Sequence, residues 1–545
     1  MKPDLDCNIA LALKNIAETL PEETGLVCKK GDGYQSWTFE QLYGNSCRFA
    51  RGLNDAGVRP GTRVMLMVPP SMEFVCLTFA LFKLGAIVIL IDPAMGYKNL
   101  LSCIGRVCPD VLVGIPKANL FSRIFPRPFK SLRKRICVGS SFGILGTPLK
   151  SLCIDKDNDT GTFAAVRDDL AAIIFTSGST GSPKGVQFTH GIFRAQLEII
   201  GSYYNIRPGD VDQPGFPLFA LFSTALGAKA VIPDMDPAHP AKVDPARFIK
   251  SILDHKVTYS FGSPAIWNVV SRYCLEQKIT LPVRKILMAG APVPGELIDR
   301  VKKIMPDDGT IHTPYGATEC LPIVSITGSE ILEQTWSKSR QGCGICVGFP
   351  LPGMDLKIIK PSDGSIAFFQ EAVEFLPGEI GEIIVRGPVV TRAYDHNDKE
   401  NRASKIADGD TFWHRIGDMG YLDDQGRLWF CGRKAHRVLG KSSVMYTIPC
   451  EAMFNEHPEV FRSALVGVGE PGEQRPVLIV ELDEGAVPSI SIREELLGLA
   501  ERNDLTREIN TFLVHPSFPV DIRHNAKILR EKLAVWAEDQ LCDDG

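Results

Sequence analysis

The chain has 545 residues, of which 44% are hydrophobic and 23% are charged, so it holds enough apolar material for a large folded core. Its 60 basic and 64 acidic side chains give a net charge of −4, and this balance provides no electrostatic reason to expect a nucleic-acid partner. Since a usual domain runs to about 100–150 residues, the length predicts more than one lobe.

Cysteine usage and the apolar runs indicate where the protein works. The 15 cysteines are scattered, and an odd number without a secretory leader is typical of a reducing compartment. The start of the chain carries acidic residues and no apolar core region, so we expect no signal peptide. The longest apolar stretch, residues 77–91, is interrupted by Lys83 and is shorter than the roughly 18 apolar residues that span a bilayer. A cytoplasmic protein without a transmembrane segment is expected.

The first 430 residues alternate short apolar runs with longer amphipathic stretches. Runs at 62–68 and 86–91 predict buried strands, and the stretch 72–84 between them predicts a helix. A further apolar strand is predicted at 171–175. This β–α–β order predicts a large α/β body, in which mostly parallel sheets are covered by helices.

The pattern changes near residue 433, where the segment 433–441 is basic and polar. Beyond it, strands are predicted at 464–468 and 477–481, and helices at 451–455, 493–502 and 526–538. These elements make a compact α+β unit of about 110 residues, which is a normal domain size. We therefore predict an N-terminal domain at 1–433 and a C-terminal domain at 434–545.

A loop rich in glycine and hydroxyl groups directly follows the predicted strand 171–175: Thr176-Ser-Gly-Ser-Thr-Gly-Ser-Pro-Lys-Gly185. Its glycines let the backbone bring N–H groups close to an anion, its hydroxyls add donors, and Lys184 adds a positive charge. A helix is expected to begin beyond Thr189. The segment predicts a phosphate-binding loop, although it does not match a Walker A motif. A flexible linker is the alternative, but linkers rarely follow a buried strand directly.

This loop resembles the signature of the adenylate-forming enzymes, the superfamily of acyl-CoA synthetases, luciferases and nonribosomal peptide adenylation domains. Further motifs resemble those of the family in the same order: Tyr315-Gly-Ala-Thr-Glu319, residues 378–387, Trp413-His-Arg-Ile-Gly-Asp418 continuing to Gly432-Arg433, and residues 524–530. The resemblance spans nearly the whole chain. It implies activation of a carboxylic acid as its acyl-AMP, with ATP and Mg²⁺, by a large α/β body and a small mobile C-terminal α+β domain.

The resemblance also implies how the nucleotide is held. The residues expected to hold the phosphates are Thr176, Ser177, Gly178, Ser179, Thr180, Gly181 and Lys184. The residues expected around adenine are Gly290, Ala291 and Pro292 on one side and Tyr315, Gly316, Ala317 and Thr318 on the other. Asp418 is expected to accept hydrogen bonds from the ribose hydroxyls, with Arg433 close by.

The catalytic residues implied by the resemblance are Thr176, Lys184, Glu319 and Lys527. Glu319 is expected to bind Mg²⁺ through a hard carboxylate oxygen. Lys527 is expected to bridge the substrate carboxylate and the α-phosphate, because a cation is needed where two anions meet. The sequence departs from the family at Ile416, where a threonine is usual, and at Ala435 in the hinge segment.

The segment 216–227 is the candidate wall for the acyl group. Acyl-CoA ligases usually carry a histidine near the position of Ala220, and here the segment is apolar. An alkyl chain suits such a wall, with plain core packing as the alternative. The residues expected to contact the acyl group are Phe216, Phe219, Ala220 and Phe222.

This segment, together with residues 231–236, 432–438 and 523–533, resembles the β-lactone synthetases of bacterial long-chain olefin biosynthesis. The resemblance implies a 2-alkyl-3-hydroxy fatty acid as substrate. Its own 3-hydroxyl would then attack the acyl-AMP and close a lactone, a step in which proximity lowers the barrier. It also implies a complex with a thiolase-like enzyme, a reductase and a hydrolase-fold decarboxylase. The alternative is a medium- or long-chain acyl-CoA or acyl-AMP ligase.

Several other features stay open from sequence. Histidines 190, 436 and 524 are expected to be structural rather than proton acceptors. Gly139-Ser-Ser-Phe-Gly143 fits a hydrolase elbow with Ser141 as nucleophile, but the elbow requires a helix after the serine. A nucleotide-binding scaffold without catalysis is a third class.

Cys343 and Cys346 are expected to be plain thiols. The basic run 123–135 is expected to be a solvated loop, with an anionic membrane or an acidic partner as the alternatives.

Overall fold

The computed structural model describes residues 7–153, 160–176, 182–216, 218–520 and 527–543. A seven-stranded sheet contains, in spatial order, Thr147–Pro148, Lys134–Cys137, Val111–Gly114, Arg63–Met67, Ile87–Leu90, Leu170–Phe175 and Gly185–Thr189. Neighbouring strands are parallel except for the last pair, which is antiparallel. The strands predicted at 62–68, 86–91 and 171–175 are confirmed within two residues at each end.

A second sheet has fourteen strands. Its path runs through Asp355–Ile359, Gly381–Arg386, Thr411–Leu422, Leu428–Arg433, Ile345–Pro350, Cys320–Thr327, Thr310–Ala317, Lys285–Met288, Tyr259–Gly262, Val211–Asp212, Lys229–Val231, Thr24–Lys30 and Gly33–Thr38, with Lys405–Asp408 paired to Thr411–Leu422.

The prediction of mostly parallel sheets is wrong for the half of this sheet that spans residues 310–433. Pairing is parallel from Thr24–Lys30 through to Thr310–Ala317 and antiparallel beyond that strand. Parallel pairing needs a crossover of a dozen or so residues, usually a helix. Thr310–Ala317 and Cys320–Thr327 are instead joined by the two residues Thr318 and Glu319, which permit only a hairpin.

Helices pack against both sheets, and the fold is α/β as predicted. The helix Met72–Lys83 begins after Ser71, whose side chain accepts the Phe74 N–H, and all residues from Phe74 onward are buried. The other main helices of this part are Ala10–Thr19, Phe39–Asp55, Tyr97–Val107, Pro116–Ile124, Leu149–Leu152, His190–Tyr203, Phe219–Ala225, Pro245–His255, Pro264–Glu276, Gly295–Lys302 and Asp398–Ser404. Within the described ranges, no helix combines the length and apolarity needed to cross a bilayer.

The residues after Arg433 form their own sheet. Its strands are Val460–Val468, Arg475–Leu482 and Phe512–Val514, preceded by the hairpin Val438–Leu439 and Val444–Met445. The accompanying helices are Thr447–Phe454, Ile490–Glu501 and Arg530–Asp543. The predicted strands 464–468 and 477–481 are therefore confirmed. The helix predicted at 451–455 begins earlier, because Pro449 falls in the first turn, where proline is tolerated.

Candidate functional site

A cavity of about 760 Å³ is lined by both large sheets and by residues of the C-terminal part. Sixteen of the residues predicted from sequence lie on its wall: Thr176, Lys184, Phe216, Phe219, Phe222, Gly290, Ala291, Pro292, Tyr315, Gly316, Ala317, Thr318, Glu319, Asp418, Arg433 and Lys527. Ser177, Gly178, Ser179, Thr180, Gly181 and His524 fall outside the described residues. The fold thus gathers motifs that are hundreds of residues apart in the chain.

The two ends of the glycine-rich loop are fixed by a hairpin. Leu170–Phe175 pairs antiparallel with Gly185–Thr189. At the mouth of the loop, the Thr176 N–H donates to the Lys184 carbonyl at 3.0 Å, and the Lys184 N–H donates to Thr176 Oγ1 at 3.2 Å. The helix His190–Tyr203 follows at once, capped by the Thr189 hydroxyl, as predicted. A strand edge and a helix therefore hold both loop ends at the cavity wall.

Lys184 lies among residues that the sequence motifs did not single out. Its Nζ lies 2.5 Å from Glu400 Oε2 and 5.1 Å from the centre of the Tyr394 ring. The Tyr394 hydroxyl donates to Glu319 Oε1 at 2.8 Å. Burial, and next the Glu319 carboxylate, raise the pKa of Tyr394, so this hydroxyl stays a donor. Tyr394 and Glu400 both line the cavity, and no local spacing pattern could have found them.

Glu319 lies at the tip of a two-residue hairpin. Ala317 pairs with Cys320, so only Thr318 and Glu319 form the turn. The Glu319 carbonyl accepts the Thr391 N–H at 2.8 Å, which fixes the turn against the segment that carries Tyr394. The carboxylate is thereby presented to the cavity by rigid backbone on two sides.

The predicted adenine residues lie at the ends of adjacent strands. Lys285–Met288 is parallel to Thr310–Ala317, and residues 289–292 follow the carboxyl end of the first strand. Because carboxyl ends of parallel strands meet at one edge of a sheet, Gly290 and Tyr315 reach the same part of the cavity.

Asp418 connects this part to the antiparallel half of the sheet. It is paired across strands with Arg433, whose Nη1 lies 3.0 Å from Asp418 Oδ1. The Tyr315 hydroxyl donates to Asp418 Oδ2 at 2.6 Å. The Asp418 charge raises the pKa of Arg433, and burial followed by the same charge raises that of Tyr315. The Oδ1 atom is buried and, within the described residues, makes no hydrogen bond of good geometry, so it retains acceptor capacity.

Lys527 reaches the cavity from the C-terminal part. Ile528 bridges to Val520, and the Leu529 N–H donates to the Pro519 carbonyl at 2.8 Å. These contacts fix the chain directly beside Lys527, just before the helix Arg530–Asp543. Lys527 and Lys184 line the same cavity, so the C-terminal lysine and the described edge of the loop lie on one wall.

The rest of the cavity wall is largely apolar. Phe219 stacks on Phe261 with ring centres 3.7 Å apart, and Phe222 packs with this pair. Across the helix Phe219–Ala225, Leu221 packs with the core that contains Phe82. Both faces of this helix line the cavity.

Ala220 was expected on this wall but is fully buried in the core. Successive helical residues are about 100° apart, so the turn that exposes Phe219 and Phe222 to the cavity directs Ala220 away from it.

The structure does not support two alternatives left open by the sequence: a hydrolase with Ser141 as its nucleophile, and His190 as a proton acceptor. After Ser141, hydrogen bonds from Ile144 and Leu145 to its carbonyl form a turn, and the short strand Thr147–Pro148 follows where a hydrolase elbow needs a helix. His190 is buried and accepts the Ile9 N–H, and burial lowers its pKa to about 4. His436 lines the cavity with its Nε2 2.9 Å from Glu531 Oε1.

The chain belongs to the AMP-binding enzyme family, whose profile matches residues 13–395. Two relatives cover nearly its full length, and each is named an olefin β-lactone synthetase. The protein of Stenotrophomonas maltophilia is 42% identical over 98% of this chain and 99% of its own, and that of Xanthomonas campestris is 41% identical over 98% of both. The fold is similar to that of an amide bond synthetase from Marinactinospora thermotolerans, with a TM-score of 0.80 at 20% identity over 97% of this chain and 99% of that one.

Proposed function

We propose that this protein activates a 2-alkyl-3-hydroxy fatty acid with ATP and closes the resulting acyl-AMP to a β-lactone, releasing AMP and pyrophosphate. The observation that carries the proposal is one cavity in which Lys184, Asp418 and Lys527 adjoin a long apolar wall. The full-length similarity to two proteins named olefin β-lactone synthetase supports the choice of product.

The described residues fit a nucleotide on three points. The Oδ1 of Asp418 is a buried acceptor paired with Arg433, and a carboxylate oxygen can accept a further hydrogen bond of the kind that a ribose hydroxyl donates. The Lys184 ammonium pairs with the Glu400 carboxylate at the mouth of the glycine-rich loop. Phosphate oxygens bound there would replace this carboxylate or share the ammonium with it. Tyr315 and residues 290–292 offer the adenine ring a site at the sheet edge.

Glu319 fits a role in holding Mg²⁺. A carboxylate is a hard ligand of the kind that Mg²⁺ prefers, usually one or two per ion together with substrate phosphates. One oxygen of Glu319 is oriented by Tyr394, as expected for an outer hydrogen bond that positions a metal ligand. When bound, the ion would neutralise charge on the departing pyrophosphate.

In the first step, a carboxylate oxygen of the fatty acid attacks the α-phosphorus of ATP, and the bond to pyrophosphate breaks. Lys527 lines the same cavity as Lys184. Its ammonium would offset the charge that develops between the two anions. Its position beside the bridge between Val520 and Ile528 fixes the backbone from which the ammonium reaches into the cavity.

In the second step, the 3-hydroxyl oxygen of the same substrate attacks the acyl carbon, AMP leaves, and the hydroxyl proton is lost. Because nucleophile and electrophile belong to one molecule, the step needs no second substrate, and effective concentration supplies much of the rate. The apolar wall excludes water that would otherwise hydrolyse the acyl-AMP.

The two faces of the helix Phe219–Ala225 suit a substrate with two alkyl chains. Phe219 and Phe222 border one part of the cavity with Phe261, and Leu221 borders the other with Phe82. The alkyl group at C2 of the substrate would lie along one of these faces, and the alkyl chain beyond C3 would lie along the other. A straight-chain acid would fill only one of them.

Incubation with ATP, Mg²⁺ and a synthetic 2-alkyl-3-hydroxy fatty acid tests the proposal. Mass spectrometry is expected to find the β-lactone and AMP in equal amounts, without added CoA. The matched 2-alkyl fatty acid that lacks the 3-hydroxyl should support ATP–pyrophosphate exchange but give no lactone. If CoA is required and its thioester is the product, the protein is an acyl-CoA ligase and the proposal is wrong.

A further inference from the structure

Two neighbouring helices that pack on the seven-stranded sheet expose large apolar side chains. Tyr97, at the start of Tyr97–Val107, is 71% exposed, and Ile124, at the end of Pro116–Ile124, is 61% exposed. Leu120 and Phe125 beside them are exposed as well. Isolated exposed apolar residues are ordinary, but a contiguous group of them marks an interaction surface.

Ring contacts and helix geometry bring the members of the group together. The Phe121 ring lies 6.0 Å from that of Tyr97 and 4.9 Å from that of Phe125, measured between ring centres. It also contacts Phe129, which is buried in the core below. Leu120 and Ile124 lie one helical turn apart and so share a face. The apolar side chains are thus presented by packed structure and not by a loose loop.

The same segment is strongly basic. Residues 97–137 contain nine Lys and Arg residues and one acidic residue, in a chain whose net charge is −4. Some of these cations serve the fold, since Lys134 donates to the Ala56 carbonyl and Arg135 to Ser122 Oγ, both at 2.9 Å. Five others are exposed and make no ion pair with any described residue: Lys98, Lys117, Arg123, Arg127 and Lys130.

We propose that this apolar-basic surface, formed by Tyr97, Leu120, Ile124 and Phe125 with those five cations, docks on an anionic lipid surface. Apolar side chains that project from a basic surround enter the boundary between headgroups and acyl chains, and each cation near an anionic membrane strengthens binding about 5-fold. An acidic protein would satisfy the cations, but four exposed apolar side chains among them favour a partner that has apolar material beneath its negative charge.

The docking is peripheral and reversible. It needs no spanning helix, and none is present among the described residues. It rests on the surface alone and does not depend on which acid the enzyme activates.

Sedimentation of the full-length protein with vesicles tests the proposal. Vesicles of equal parts phosphatidylcholine and phosphatidylglycerol should carry the protein into the pellet, and added salt should release it. Vesicles of phosphatidylcholine alone should bind far less. Arg123→Glu with Arg127→Glu, and separately Tyr97→Ser with Ile124→Ser, should each lower binding to the anionic vesicles by about 10-fold or more.

Matched controls make the result specific to this surface. Lys302→Glu with Lys338→Glu changes the same charge at exposed positions elsewhere, and Leu376→Ser with Val487→Ser removes two equally exposed apolar side chains. Both controls should bind like the unchanged protein, and all variants should keep ATP–pyrophosphate exchange. Equal loss in the controls, no binding to anionic vesicles, or binding to polyglutamate in preference to vesicles would each overturn the proposal.

Discussion

Tyr394 performs two tasks with two parts of its side chain. Its ring lies under the Lys184 ammonium, and its hydroxyl orients the Glu319 carboxylate. Tyr394→Phe keeps the ring and removes only the hydrogen bond. Losing such an outer partner typically weakens a metal site by about 10-fold or more. We expect the Mg²⁺ concentration that gives half-maximal ATP–pyrophosphate exchange to rise by that factor, with little change in rate at saturating Mg²⁺.

The comparison with Glu319→Gln separates positioning from ligation. That change removes the proposed ligand charge and should lower exchange even at saturating Mg²⁺. An unchanged Mg²⁺ dependence in Tyr394→Phe would show that the hydroxyl is structural only.

Lys527 is predicted to act on the transition state more than on ATP binding. Removing a group that stabilises developing charge typically lowers a rate by about 10²–10³-fold. Lys527→Ala should therefore lower ATP–pyrophosphate exchange by that amount while ATP affinity, measured calorimetrically, changes little. Lys532→Ala, at an exposed lysine five residues further on in the helix Arg530–Asp543, is the matched control. A comparable loss in that control would point to damage of the C-terminal helix.

The sequence predicts those site residues that belong to short, continuous motifs. Thr176 and Lys184 lie eight positions apart, and their pairing follows from one hairpin. Glu400 and Tyr394 contact Lys184 and Glu319 only through the fold, from 216 and 75 positions away. No periodicity or spacing could have indicated them. The prediction that Ala220 lines the cavity is wrong, because on the helix Ala220 points into the core while Phe219 and Phe222 point to the cavity.

At the scale of an element, the helix Phe219–Ala225 lies over a buried carboxyl. Asp212 is 1% exposed, and its Oδ2 lies 2.5 Å from the hydroxyl of Ser223, which also donates to the Phe219 carbonyl. Burial raises the pKa of Asp212 to about 8. The Ser223 hydroxyl is within hydrogen-bond distance of both Asp212 Oδ2 and the Phe219 carbonyl, so it links the buried carboxyl to the helix that borders the cavity.

This carboxyl gives the protein a predictable pH dependence. A carboxyl whose pKa rises on folding holds its proton more tightly in the folded chain. Its contribution to stability is therefore complete below about pH 4 and is lost as the pH rises through about 8, by at most about 1.4 kcal/mol per pH unit. Asp212→Asn should remove this part of the slope of the thermal unfolding midpoint against pH. The exposed Asp307→Asn should leave the slope unchanged, and a slope that persists in Asp212→Asn would contradict the assignment.

Elements are predictable from sequence where burial is complete. Strands such as Ile87–Leu90, and Arg63–Met67 after its first residue, are continuous apolar runs because helices cover both faces of a parallel sheet. The antiparallel half of the larger sheet escaped prediction because its pairing depends on turns, such as the two-residue turn at Glu319. In the sequence, that turn is part of the motif at residues 315–319. In the structure it also joins two antiparallel strands.

At the scale of the molecule, the hydrophobic clusters divide near residue 433. In the described ranges, two clusters contain only residues from 438 onward, and every other cluster ends at or before Trp429. Contacts across the division include ion pairs, such as Arg437 with Asp363 at 2.8 Å and Lys434 with Glu382 at 3.2 Å. The helix Thr447–Phe454 also packs against residues 339–343, where Gly342 lies close to Leu505 and Met453. Separate cores that meet along such a contact are typical of two domains in one chain.

A chain that stops at Arg433 is therefore predicted to fold without the remainder. It keeps the residues that are proposed to hold adenine, ribose and the phosphates, and it loses Lys527. We expect it to unfold cooperatively and to bind AMP with an affinity within about 10-fold of the full chain, since the lost part supplies few of the proposed nucleotide contacts. ATP–pyrophosphate exchange should fall to background, and adding residues 434–545 as a separate chain should restore part of it by re-forming the interface. A truncated chain that stays unfolded, as measured by circular dichroism, would show that the two cores depend on each other and that the boundary at 433 is wrong.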